Sequence, residues 1–313
     1  MRLSPAIERY IALKRAMGTG FDTDARHLSA LARAVGADIA VADLTEDHLR
    51  SYLAPKGVLT PSWHRKYVVL SGFNRFAVGR GYTASLPLPK LRPKKQRTFV
   101  PYIFRREELR RLLDAVSNRR RDARLQPPTM RMILFLLYGA GLRLGEALSL
   151  TLADVNLQES ILTIREAKFH KSRLVPMGPQ LGRAMTLYFR WRHEQGHSQQ
   201  HNAPFFVTST SAPVNHATLR KGFEILRDRI ELRKRGTGQK PRLHDLRHSF
   251  AVHRLLSWYR RGADVQLLLP KLATYLGHVC ICSTQVYLTM TPELLQEASV
   301  RFEKYAVPAV RRG

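Results

Sequence analysis

Between Leu86 and Arg97 the chain reads Leu-Pro-Leu-Pro-Lys-Leu-Arg-Pro-Lys-Lys-Gln-Arg, three prolines and five basic residues in twelve positions. Proline lacks the N–H that a helix interior needs and pushes the residue before it out of the helical region, so this stretch is extended. It divides the 313 residues into two parts that must each bury a core of their own. The expected organisation is a helical module over residues 1–88, a basic proline-rich linker over 89–104 and a larger domain over 105–313.

Charge is unevenly shared between the parts. Lys and Arg total 52 against 24 Asp and Glu, a net charge of +28, and 39 of the basic but only 17 of the acidic residues follow residue 90. A folded chain this basic is built for a polyanion, and the linker cations Arg92, Lys94, Lys95 and Arg97 suit a phosphate backbone. Two cysteines, Cys280 and Cys282, cannot build a disulfide framework, which fits a reducing cytoplasm. The longest apolar run, Met132 to Leu142, is too short to cross a membrane, and the N-terminus carries no secretion signal.

Apolar spacing and start signals predict helices at Ile7–Met17, Asp24–Val35, Glu46–Leu53 and Ser62–Val78, with Thr45 and the Thr60-Pro61 pair as caps. Beyond the linker, helices are expected at Arg105–Ser117, Met130–Tyr138, Arg143–Leu150, Leu181–Glu194, Ala217–Ile230, His244–Trp258, Val265–Leu276 and Pro292–Lys304. Met130–Tyr138 is apolar all round and should be buried. Ile161–Ile164 and Arg173–Pro176 read as two strands of a hairpin with a basic, exposed tip over 166–172.

Several segments could carry chemistry. In Arg242-Leu-His-Asp-Leu-Arg-His, His244 and Arg247 lie three apart on one helix face and could grip a phosphate, the arginine through its fork of donors. His244 and His248 at i, i+4 with an acid between also resemble a zinc motif, but Asp stands where the general base should be Glu, and Arg247 adjoins the ligand. Cys280 and Cys282 near His278 have an uncommon ligand spacing. No G-x-x-x-x-G-K-[ST] phosphate loop is present.

Gly141-Leu-Arg143-Leu-Gly-Glu146, Lys168-Phe-His-Lys171-Ser-Arg173 on the hairpin, Leu276-Gly-His278 and Ser283-Thr-Gln-Val-Tyr287 follow one another in an order and spacing that resemble the tyrosine recombinases, the integrase family that includes Xer and phage integrase enzymes. That resemblance implies a mainly α fold with a small β-sheet, arranged as a two-domain clamp of helical core-binding domain and α+β catalytic domain. It makes Tyr287 the nucleophile and assigns catalytic roles to Arg143, Lys168, His244, Arg247 and His278, with Glu146 ordering the site and Lys171 as the competing hairpin lysine. It implies cleavage and rejoining of double-stranded DNA through a 3'-phosphotyrosyl intermediate for integration, excision or transposition of a DNA element, by a tetramer on DNA, either alone or together with related recombinases. The segment Thr291-Pro-Glu-Leu-Leu-Gln-Glu-Ala-Ser-Val-Arg-Phe resembles the family's exchangeable tail helix, with packing inside its own subunit as the alternative.

A phenol titrates near 10, so about one in a thousand is ionised at neutral pH, and its activation needs cations. No metal or cofactor is then expected, Lys168 should protonate the departing 5' oxygen, and His244 should assist proton transfer from the tyrosine. Arg65, Lys66, Arg173, Arg220, Lys221 and Arg242 are expected DNA contacts. Val279-Cys-Ile-Cys282 and Leu288-Thr-Met depart from the family pattern without removing a catalytic group. A type IB topoisomerase and a non-catalytic DNA-binding protein on the same fold are the alternatives.

Overall fold

A computed structural model describes residues 1–54, 61–89, 101–118, 124–167, 171–232 and 240–300. The chain forms two compact units, Met1–Thr98 and Phe99–Ala167 with Lys171–Gly313.

Among the described residues, the first unit holds four α-helices: α1 (Leu3–Ala16), α2 (Asp22–Val35), α3 (Glu46–Leu53) and α4 (Pro61–Gly79). Thr45 caps α3 as expected: its hydroxyl accepts from the His48 N–H, and His48 Nδ1 accepts from the Thr45 N–H, both at 3.3 Å. Apolar residues at helical spacing, such as Leu28 with Leu31 and Leu70 with Phe73, close a core around Tyr10 and Leu49. Arg65 on α4 makes a two-pronged ion pair with the buried Asp24 on α2, which fixes these two helices.

The second unit comprises α5 (Arg106–Ser117), α6 (Pro127–Gly139), α7 (Leu144–Leu148), β1 (Val155–Asn156), β2 (Ile161–Ala167), β3 (Lys171–Pro176), α8 (Pro179–Glu194), α9 (His216–Arg229), α10 (Leu243–Arg260), α11 (Val265–Leu276) and α12 (Cys282–Gln285). A 3-10 turn at Leu152–Asp154 precedes β1, and a second, Val286–Thr289, and a helix over 292–300 follow α12. The strands form one antiparallel sheet in the order β1-β2-β3, pairing Ile161 with Pro176 and Ile164 with Arg173. Both hairpin strands run further toward the tip than expected, and β1 was not foreseen because two residues carry no alternation.

Helix α6 occupies the core, with Met130, Ile133, Leu134 and Leu136 at most 1% exposed. An apolar helix of this kind must be surrounded, and α5, α8 and α10 pack on it. Where α6 ends, Gly141 adopts φ +61°, and a Cβ there would collide with the Phe250 ring of α10. The chain therefore turns tightly under α10 before entering α7. No described helix is long and apolar enough to cross a membrane.

Ser249 on α10 joins distant segments. Its hydroxyl accepts from the Phe104 N–H at 2.8 Å and donates to the Asp245 carbonyl at 2.7 Å, with both side chains fully buried. Ser249→Ala leaves a buried N–H without a partner, so urea unfolding should show a loss of about 1–3 kcal/mol.

Candidate active site

Helix α11 ends at Gly277, which takes the left-handed conformation (φ +68°) that a helix stop favours. Its last carbonyls point away from the helix and carry the negative end of its dipole. Arg247 of α10 donates through Nη2 to the Leu276 carbonyl at 2.7 Å and through Nη1 to the Gly141 carbonyl at 2.7 Å. Arg143, at the start of α7, donates to the very next carbonyl, Gly277, at 2.6 Å. Consecutive carbonyls thus hold two guanidinium groups side by side.

Like charges at this separation repel, and Glu146 compensates. Its carboxylate accepts from Arg143 Nη1 at 2.7 Å and the Arg143 N–H at 2.9 Å, and from Arg173 of β3 at 3.1 and 2.8 Å; Arg247 lies 4.0 Å away. Burial alone would raise the Glu146 pKa, but the bonds from Arg173 and Arg143 overcome it and hold it at about 2. Arg247, 2% exposed, is pushed down to about 10 by burial and by Arg143, and stays charged at neutral pH. The cluster carries three positive charges and one negative, a site that favours an anion.

Tyr287, in the 3-10 turn after α12, points its hydroxyl at this cluster. Burial raises its pKa, while the charge and hydrogen bond of Arg247 and the charge of Arg143 favour the ionised form. His278 stacks on the phenol ring at 6.1 Å and 24°, and its Nδ1 lies 2.7 Å from the Thr284 hydroxyl, tying the loop after α11 to α12. Burial, then Arg247 and Arg143, push His278 down to about 4.

Arg143, Glu146, Arg247, His278 and Tyr287 therefore meet at one place. His244 sits at its exposed rim, its ring edge-on to His248 at 4.7 Å. The group bonded to the Tyr287 hydroxyl is instead His248, through Nδ1 at 3.1 Å. In the sequence His248 stands out only as a metal-ligand candidate, and its i+4 spacing from His244 is the signal that puts it on the same helix face. The turn bearing Tyr287 packs one helical turn further along α10 than His244.

Arg173 corrects the expectation that it contacts DNA. Its side chain is 11% exposed, grips Glu146 with two nitrogens and donates through Nε to the Tyr275 carbonyl at 3.0 Å, so it braces the carboxylate. Lys168 lies outside the described residues, as do Arg92, Lys94, Lys95 and Arg97; Lys171 begins β3. Arg220, paired with Glu224, and Arg242, paired with Asp245, line a cleft of about 640 Å³ with His244, His216 and Lys240. Lys221 is exposed on α9, and Lys66 in the first unit lies over the Tyr52 ring at 4.6 Å. Among the described residues, no three His, Cys, Asp or Glu side chains gather as a metal set.

Because the Glu146 pKa is depressed from 4.5 to about 2, its contribution to stability is complete above the unfolded value and is lost as pH falls through the folded one. Urea titrations from about pH 5 down to about pH 2 should lose on the order of 3 kcal/mol through this group, and Glu146→Gln should flatten that limb. At Gly277, an added Cβ would lie 2.7 Å from Arg173 Nη1 in a backbone conformation that costs L-residues about 1–2 kcal/mol. Thermal unfolding of Gly277→Ala should show at least that loss.

Residues 103–293 match the model of the phage integrase family. Over 302 residues, 96% of either chain, the protein is 33% identical to y4rB of Sinorhizobium fredii (strain NBRC 101917 / NGR234), named as an integrase/recombinase. The tyrosine recombinase XerA of Pyrococcus furiosus is 30% identical over 68% of this chain and 65% of its own. In fold the chain resembles the Tn1549 transposon integrase in complex with a circular intermediate DNA (TM-score 0.72, 14% identity, 97% of this chain and 99% of that one). It also resembles the XerH site-specific recombinase bound to a palindromic difH substrate (TM-score 0.66, 21% identity, 91% and 80%). The chain belongs to the phage integrase family of tyrosine recombinases, enzymes that transfer DNA strands.

Proposed function

We propose that the protein is a site-specific recombinase that cuts and rejoins double-stranded DNA through Tyr287, for the integration, excision or transposition of a DNA element. What carries this reading is the pair of guanidinium groups on consecutive carbonyls beside a phenol oxygen. Each arginine has five N–H donors, and the structural bonds of Arg143 and Arg247 leave others to face a phosphodiester. They are prepositioned, so stabilising the charge that builds on the non-bridging oxygens needs little reorganisation.

In the reaction, Tyr287 Oη bonds to phosphorus, the bond to the 5' oxygen breaks, and a 3'-phosphotyrosine forms. Lys168 gives the 5' oxygen its proton, and His278 holds the phenol ring by stacking. One phosphodiester is exchanged for another, so the bond energy is kept for rejoining. Tyr287 is 3% exposed, so attack requires the turn Val286–Thr289 to shift toward the docked phosphate.

Residues 1–88 would serve as the second jaw of a clamp on DNA, with the linker cations on the phosphate backbone. Four protomers would pair two duplexes, in the cytoplasm. The y4rB relative, matched over nearly the full length and named an integrase/recombinase, supports movement of a DNA element.

Purified protein incubated with nicked duplexes spanning the DNA that flanks its gene should form a denaturant-resistant adduct. Tyr287→Phe should form none, and Arg143→Ala or Arg247→Ala should slow its formation about 10²–10³-fold. A chelator should leave the rate unchanged, because guanidinium groups supply the positive charge. Equal adduct from Tyr287→Phe would overturn the nucleophile, and relaxation of supercoils without a defined site would favour a topoisomerase.

A further inference from the structure

We propose that Arg65, braced by Asp24, reads a guanine in the major groove of the target DNA and so helps to set which site the protein recognises. The inference rests on the recombinase reading above and deepens it by naming a base that the site must contain. Its basis is the geometry of one ion pair. Arg65 Nε donates to Asp24 Oδ1 at 2.6 Å and Nη2 donates to Oδ2, so the carboxylate occupies one whole edge of the guanidinium.

A guanidinium is flat and carries five N–H donors, and its side edge holds the one on Nε and one of the two on Nη2. With that edge taken, the end edge remains, where a hydrogen of Nη1 and the second of Nη2 lie parallel. Among the described residues no group accepts from this edge. The Arg65 side chain is 56% exposed and that of Asp24 only 7%, so the brace is set inside the helical unit and the free edge is left to solvent. Two parallel donors match the O6 and N7 acceptors that guanine shows in the major groove, which is wide enough to admit a helix such as α4. Held by two bonds, the fork loses little freedom when it meets the base.

Charge separates base reading from phosphate binding here. Together Arg65 and Asp24 carry no net charge, and a carboxylate behind the guanidinium works against a phosphate. The guanine edge is neutral and calls for aimed donors instead. Arg65, Val68 and Arg75 are all exposed and fall within an arc of roughly 80° around the α4 axis. Val68, 58% exposed, presents its methyl groups one turn beyond Arg65, which suits a thymine methyl and offers a phosphate nothing. Phosphate contacts fall to the neighbours: Lys66, which lies over the Tyr52 ring at 4.6 Å, and the exposed Arg26 and Arg75. Burial, then Lys66, push the His27 pKa down, and Arg65 and Arg26 add to this against Asp24, as follows where cations gather on one face.

The test uses the full chain and reads binding, so it does not depend on cleavage. Selection from a randomised duplex pool should yield a consensus in which guanines are then replaced one at a time by 7-deazaguanine, which lacks the N7 acceptor. One replacement should weaken binding of the native chain about tenfold, a measurement that needs no variant. Arg65→Lys keeps a cation beside Asp24 but has no fork. It should melt and bind random duplex like the native chain, lose about 5–150-fold on the consensus, and ignore that same replacement. Its slope of log K against log salt should stay native, because no phosphate contact is lost. Asp24→Asn should bind random duplex at least as well as the native chain yet discriminate less at that position. Native affinity for every 7-deazaguanine duplex, or an Arg65→Lys chain that still responds to the replacement, would overturn the assignment. So would a uniform loss across sequences with the salt slope reduced by about one, the mark of a phosphate contact. If the native chain makes no adduct, the recombinase reading fails while base preference still judges Arg65; if adduct forms at a site indifferent to Arg65, that reading stands and the assignment falls.

Discussion

One carboxylate governs this protein's catalytic unit. Arg143, Arg173 and Arg247 could not share so small a space without Glu146, whose two oxygens engage the first two directly and lie 4.0 Å from the third. The C-terminal end of α11 supplies the rest of the compensation through the Leu276 and Gly277 carbonyls. The result is a cationic cluster with a net excess of two charges, held by bonds rather than by the anion it awaits. Local geometry follows from this need. Gly277 must be a glycine because its backbone turns left-handed against Arg173, and Gly141 because the chain passes beneath Phe250 while offering its carbonyl to Arg247.

The same cluster sets the protonation states around it. His248 and His278 are pressed neutral by burial and by surrounding cations, whereas Tyr287 stays protonated because burial outweighs the attraction of two arginines. Each group is thus in the form from which chemistry can begin, and each is most sensitive to the arrival of negative charge.

Much of this was legible in the residue order. The apolar run of α6 announced its burial, the Val265–Leu276 span of α11 was expected as it is observed, and the order of motifs shared with the family grouped Arg143, Arg247, His278 and Tyr287. Three things were not legible. Arg173 looked like any surface cation on a hairpin, because only tertiary folding brings β3 against Glu146. The partner of the Tyr287 hydroxyl depends on which turn of α10 faces the 3-10 segment, a difference of one helical turn that spacing alone leaves open. The two-residue strand β1 is too short for any periodic signal.

The arginines read α11 through its peptide carbonyls, not through its side chains. The side chains of that helix's outer face and of the Val279–Cys282 loop beyond it are consequently free to vary. Its register is another matter. Each residue inserted before Leu276 would swing the terminal carbonyls by about 100° around the axis, scattering the two cations that a drift in lettering would leave untouched.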